Sequence, residues 1–273
     1  MDVRSRNHVV VSGRPDGPVV VLAHGFGCDQ NMWRLVLPAL ERDFRVVVFD
    51  HVGAGRSDLS AWSEERYAGL DGYAQDVLEI LRDLDPGPVV FVGHSVSSMV
   101  GVLAAAAEPE LFAGLVLLTP SPCYIDDPEA GYRGGFSAQD IEELLESLES
   151  NYLGWSAVMA PVIMGNPQRP ELGEELTNSF CRTDPKIARV FARATFLSDN
   201  RADLAGVSVP TLVAQCASDV IAPPEVGAFV QARIPGSRLV TLPATGHCPQ
   251  LSAPEATADA IAAFAAGAGG AAR

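Results

Sequence analysis

Basic residues are scarce in this sequence: 19 lysines and arginines stand against 34 aspartates and glutamates, a formal charge of −15. A chain with that balance repels a polyanion, and no basic cluster offers a local exception, so nucleic acid is not an expected partner. The excess of acid reads as a solubility feature. Cysteine is sparse too. Cys28, Cys123, Cys181, Cys216 and Cys248 are odd in number and scattered, with no CxxC pair. That argues against a disulfide framework and a cysteine zinc site. HxH and HExxH spacings are missing, so neither a metal nor a cofactor is expected. No apolar run reaches the roughly 18 residues of a spanning helix, and "MDVRSRNHVVVSG" lacks the apolar core of a secretory signal. A cytoplasmic protein that engages no membrane is the resulting expectation. Internal repeats are absent as well.

What the sequence does have is apolar residues, 48% of 273, enough for a sizeable core. Valine-rich runs at 8–12, 19–23, 45–49, 89–92 and 114–118 read as strands, nearly all-apolar rather than alternating. Helical spacing over 31–40, 71–84 and 97–107 falls between them. This is the pattern of a mainly parallel sheet covered on both faces, an α/β fold. From Pro120 to about Leu197 the pattern is helical only. "FSAQDIEELLESLESNYLGW" is its clearest stretch, with Ser137 as a cap. "TDPKIARVFARATF" offers Asp184 as a cap and Pro185 at the first helical position. The strand–helix alternation then resumes with strands at 211–215 and 238–242 and helices at 224–234 and 254–266; the tail "AGAGGAAR" is expected to fray. The expected division is a core of residues 1–121 and 198–273 with a helical lid at 122–197.

The strand at 89–92 runs into "GHSVS". A serine on a sharp strand-to-helix turn at the C-terminal edge of a parallel sheet faces the crevice where ligands bind. Gly93-His94-Ser95-Val96-Ser97 is the nucleophile-elbow pattern G-x-S-x-G with serine in place of its last glycine. The alternative is a serine that merely caps the following helix. A serine nucleophile needs a base held by a third group. Of the histidines, His8 opens a strand, His24 and His51 follow early strands, and His94 sits in the turn; His247 alone follows the final strand. Asp219 ends a late strand, with Asp203 the nearest alternative acid. Ser95…Asp219…His247 is the chain order of α/β-hydrolase triads. The backbone N–H groups of Val96 and of Phe26, in "LAHGFGCDQ", are the candidate oxyanion donors. Gly53-x-Gly55 follows a strand, but the third glycine of a dinucleotide loop is missing, and it reads as a turn.

These residues carry a resemblance. "HGFGCDQNMW", "FDHVGAGRSDL", "VGHSVSSMVG", "PSPCYIDDP", "FCRTDPKIARVFARATFLSD", "SDVIAP" and "GHCPQLSAPE" resemble the RsbQ-like α/β-hydrolases: the bacterial stress-signalling hydrolase RsbQ and the plant karrikin and strigolactone receptors. The resemblance implies a Ser95–His247–Asp219 triad and a V-shaped lid of four helices over an apolar pocket. It implies a lining of Phe26, Phe136, Trp155, Met159, Phe180 and Phe196, where core packing of the aromatics is the plainer alternative. It also implies a small hydrophobic ester or lactone as ligand or substrate. By the same resemblance the protein acts in a stress response upstream of a PAS-domain phosphatase; a ligand receptor with slow hydrolysis and a general carboxylesterase are the alternatives. A dehalogenase would want aspartate at position 95.

Overall fold

The computed structural model describes residues 2–268. Among these, β1 (Val10–Gly13), β2 (Val19–Ala23), β3 (Arg45–Phe49), β4 (Val89–His94), β5 (Phe112–Leu118), β6 (Thr211–Ser218) and β7 (Arg238–Thr245) form one sheet in the order β1-β3-β2-β4-β5-β6-β7. β1 is antiparallel to β3, and every other pairing is parallel. The chain thus adopts the α/β fold with a mainly parallel sheet that its sequence pattern predicts. The longer helices are α1 (Asp71–Leu84), α2 (Val96–Ala107), α3 (Ala138–Ser150), α4 (Tyr152–Met164), α5 (Pro170–Arg182), α6 (Pro185–Phe196), α7 (Pro224–Arg233) and α8 (Pro254–Ala268).

The all-apolar strands follow from burial on both faces. Along β2, Val19, Val21 and Ala23 pack with Tyr73, Val77 and Leu81 of α1 and with α2, whereas Val20 and Leu22 pack on the opposite face with Trp33, Ile261 and Phe264. A third apolar cluster lies among α3, α4, α5 and α6, the helices between β5 and β6. The ends of that helical stretch meet: Asn200 N–H donates to Pro122 O at 2.7 Å, beside a bridge between Cys123 and Asp199. Among the described residues no helix is long and apolar enough to cross a membrane.

Three local expectations need correction. The run 31–40 is not one helix but a 3-10 turn, Gln30–Trp33, and a short helix, Leu37–Leu40. Pro38 sits in the first turn of the second piece, where its ring and missing N–H stop the helix from extending backwards. The stretch 136–155 is two helices, broken at Asn151, whose non-helical backbone (φ −152°, ψ 80°) precedes α4 and whose side chain caps it by accepting from Gly154 N–H. Finally, β1 starts at Val10 because His8 has φ 45° and turns its ring to Asp50, 2.9 Å away. Of the tail expected to fray, residues 266–268 close α8 and 269–273 lie outside the described residues.

Candidate active site

β4 is the central strand, and its last residue, His94, leads into Ser95 at φ 57°, ψ −123°, immediately before α2. A non-glycine residue rarely holds that conformation, and such strain concentrates at functional sites. The turn closes only because its neighbours are small. A Cβ on Gly93 would meet Ser97 O at 2.2 Å, and one on Gly25 would meet His94 Nδ1 at 2.8 Å and Ser95 Cβ at 3.2 Å. Ser95 N–H donates to Leu118 O at 2.9 Å, tying the turn to β5. No side-chain hydrogen bond from Ser95 caps α2, so the capping explanation of this serine fails.

Ser95, His247 and Asp219 come together. His247 Nε2 lies 2.7 Å from Ser95 Oγ, and His247 Nδ1 lies 2.7 Å from Asp219 Oδ2. The acid is positioned by its own loop: Asp219 Oδ1 accepts from Ile221 N–H at 2.8 Å and from Ala222 N–H at 3.2 Å. That leaves Oδ2 to accept Nδ1–H and directs the Nε2 lone pair at the serine. All three residues are buried. Asp203 is elsewhere, accepting from Asn200 Nδ2 at 2.9 Å.

Position 97 explains the missing glycine. Ser97 Oγ donates to His24 O at 2.5 Å, and His51 Nε2 donates to Ser97 Oγ at 2.7 Å. His24 in turn gives Nδ1–H to Gly25 O at 2.9 Å and accepts His51 N–H on Nε2 at 3.1 Å. Burial drives the pKa of His24 and His51 down, so both act as neutral rings that relay hydrogen bonds. The result pins the loop carrying Phe26 to the start of α2. Among the described residues, neither Phe26 N–H nor Val96 N–H donates to another protein group, and Val96 opens a helix whose N-terminus favours negative charge. The Gly53-x-Gly55 turn belongs to this framework. Asp50 accepts from Gln30 N–H and Arg56 N–H at 2.8 Å each, and a Cβ on Gly55 would meet that carboxylate at 2.5 Å. The inner side of this turn thus faces a carboxylate, which would repel a phosphate.

The His247 loop is held from both sides. His94 Nε2 donates to His247 O at 2.8 Å, and its pKa is pulled down to about 3 by burial and by the neighbouring His247. From the other side, His247 N–H donates to Ile163 O at 2.9 Å, at the end of α4, and Asn166 Nδ2 donates to Met164 O and Thr245 O. A Cβ on Gly246 would meet Met164 O at 1.8 Å, so this approach requires glycine.

A cavity of about 30 Å³ opens at Ser95 and His247. Phe26, Phe180 and Phe196 lie on its wall; Phe136, Trp155 and Met159 do not. Trp155 is one layer out, stacked on Phe180 (centroids 5.7 Å, 8° between planes) and on Tyr152 (6.3 Å, 15°), and Phe136 and Met159 pack against the same cluster. Core packing, the plainer reading of the aromatics, describes Phe136 and Trp155, and Met159 joins them. Wall residues that sequence reasoning missed include Tyr124, Thr195, Ile163, Leu176 and Cys248. Tyr124 lies within the quoted "PSPCYIDDP", Thr195 directly precedes Phe196, and Cys248 follows His247, so adjacency was the available signal. The volume matches about one water molecule, whereas ligand pockets occupy roughly 300–1,000 Å³. Binding of an ester therefore needs side chains of the wall to shift.

Known proteins share this arrangement of chain. A family model described as "Alpha/beta hydrolase family" matches residues 20–260. The karrikin insensitive 2 receptor CA of Petunia hybrida is 40% identical over 237 residues, 86% of this chain and 87% of that protein. The strigolactone esterase RMS3 of Pisum sativum is 38% identical over 248 residues, 90% of this chain and 92% of that one. Among solved structures, a hydrolase from Oleispira antarctica is 44% identical with a TM-score of 0.94, covering 97% of this chain and 96% of its own.

Proposed function

The chain belongs to the alpha/beta hydrolase family, and from that premise we propose that it is a serine hydrolase of a small hydrophobic ester or lactone. The observation that carries the reading is His247 bridging Asp219 and Ser95, at 2.7 Å on each side. Ser95 Oγ attacks the substrate carbonyl carbon while its proton passes to His247 Nε2. Asp219 accepts Nδ1–H, fixes the tautomer and stabilises the imidazolium. The N–H groups of Phe26 and Val96 hold the oxyanion. Collapse expels the leaving alkoxide, which takes the proton from His247, and leaves acyl-Ser95. Water then gives a proton to His247 and attacks the acyl carbonyl, and Ser95 departs with that proton. From a lactone, both product groups stay on one hydroxy acid.

Residues 122–197 act as the lid over this chemistry, on a core of 1–121 and 198–273. The names of the relatives, a strigolactone esterase and a karrikin receptor, support an ester or lactone as ligand class. The narrow cavity favours a second layer to the function. A site that must open for each ligand turns over slowly and couples occupancy to lid position, and a ligand shifts such an equilibrium by its differential affinity for the two states. On this reading the output is a signal to a protein partner, a PAS-domain phosphatase by resemblance to RsbQ. The test is hydrolysis of p-nitrophenyl butyrate: turnover below about 1 s⁻¹, the low end of enzyme rates, that disappears in Ser95→Ala. Wild-type rates in Ser95→Ala would remove Ser95 from the reaction.

A further inference from the structure

The cavity wall carries a hydroxyl that the reaction above does not use. Thr195 lies in the last turn of α6, is 1% exposed and lines the cavity. Its Oγ1 is buried and has no hydrogen-bond partner among the described residues. A helical threonine or serine commonly places its hydroxyl on the carbonyl one turn back. Two others in these helices do: Thr177 Oγ1 donates to Gly173 O at 2.9 Å, and Ser156 Oγ donates to Tyr152 O at 2.7 Å. Thr195 does not, although the same acceptor position exists in its helix. A buried hydroxyl left without a partner on a ligand-facing wall calls for a partner that arrives with the ligand.

Most of the wall cannot supply or replace this contact. Phe26, Phe180, Phe196, Ile163, Leu176 and Ile221 present hydrocarbon. His94 Nδ1 is unpartnered as well, but with Nε2 donating to His247 O it can only accept, and it faces the backbone of Gly25. Tyr124 is a second hydroxyl on the wall, 1% exposed with Ser95 as a polar neighbour; burial pushes its pKa up to about 12, so it stays protonated.

We propose that Thr195 Oγ1 is a specificity-determining donor that recognises a second oxygen of the substrate, remote from the carbonyl that Ser95 attacks. The substrate class is then an ester or lactone bearing an ether, hydroxyl or carbonyl oxygen on the side facing α6, rather than a plain hydrocarbon acyl chain. This rests on the hydrolase reading for its chemistry. A site built to bond an oxygen discriminates against the analogue that lacks it, because the site's own polar group is then stranded.

The test uses matched esters in which oxygen replaces one methylene: p-nitrophenyl 4-methoxybutyrate against p-nitrophenyl hexanoate, and the methoxyacetate against the butyrate. Thr195→Val keeps the branched shape and removes the hydroxyl. In at least one pair it should lower kcat/KM for the methoxy ester about tenfold, the scale of one hydrogen bond, and leave its hydrocarbon twin within about twofold. Thr195→Ser should retain the preference. Because the hydroxyl has no protein partner, Thr195→Val should also raise Tm, by about 2–4 °C. Equal effects on both twins in both pairs, or a fall in Tm, would overturn the proposal. Thermal shifts of Ser95→Ala with the same esters read the preference without turnover. If wild type hydrolyses neither ester and Ser95→Ala still prefers the methoxy twin, the hydrolase reading fails and the Thr195 proposal stands. If both are hydrolysed at a ratio that Thr195→Val leaves unchanged, the reverse holds.

Discussion

The Ser97 hydroxyl donates to the His24 carbonyl at 2.5 Å while accepting from His51 Nε2 at 2.7 Å. One small side chain thus joins the elbow helix to two loops that a glycine would leave unconnected. Ser97→Ala strands a buried carbonyl and a buried imidazole N–H. Urea unfolding should show a loss of about 1–3 kcal/mol, the cost of leaving such groups unpaired. Ester hydrolysis should fall as well, because the Phe26 loop loses its tether. Unchanged stability would mean that the bridge contributes nothing.

Ser95 holds φ 57° without being glycine. Positions of that kind carry roughly 1–3 kcal/mol of strain that glycine relieves. Ser95→Gly should therefore be inactive and at least as stable as wild type. A Ser95→Gly variant clearly less stable than Ser95→Ala would contradict the strained elbow.

His24, His51 and His94 are buried and their folded-state pKa values are all depressed, by burial first. The unfolded chain binds protons on these rings at a higher pH than the native state does. Their contribution is therefore fully present above the unfolded value near 6.5 and is lost as pH falls toward the folded values, about 3 for His94. For His94 alone the full span is worth up to about 5 kcal/mol. Denaturant titrations should show stability falling between pH 6.5 and 4, and falling less steeply in His94→Gln. A flat profile in wild type over that range would refute the neutral-ring network.

Gly246 has φ 84° and lies against the end of α4. Gly246→Ala forces either the His247 loop or the helix to move, since the new Cβ would meet Met164 O at 1.8 Å. Activity should drop by up to about a hundredfold, the scale on which a displacement of about 1 Å costs a catalyst, while strands away from the loop keep their amide protection. Wild-type kcat in this variant would show that α4 and the catalytic loop are not coupled.

The sheet was legible because burial on both faces leaves a signature in composition: Val19–Ala23, Val46–Phe49 and Leu212–Ala214 are apolar runs that few other structures explain. Chain order and strand ends singled out Ser95, Asp219 and His247, the three residues that the fold brings together. Helix continuity was less so, because periodicity reads through a break such as Asn151, where apolar spacing continues while the backbone does not. The cavity wall was hardest. Trp155 and Phe180 look alike in sequence, as aromatics of the helical stretch between β5 and β6, but one is stacked behind the other, and which ring faces inward depends on the packing of α4 on α5. Adjacency to Phe196 hinted at Thr195, but its unpaired hydroxyl is visible only once its neighbours are placed.

If His247 and Asp219 activate Ser95 as a nucleophile, a fluorophosphonate, which phosphonylates activated serines, should label it. Intact-mass and peptide mass spectrometry should then show a single adduct on the peptide containing Ser95, none in Ser95→Ala, and much slower labelling in Asp219→Asn, a change that in a serine protease costs roughly 10⁴-fold in turnover. An adduct on another residue, or labelling of Asp219→Asn at the wild-type rate, would contradict that activation.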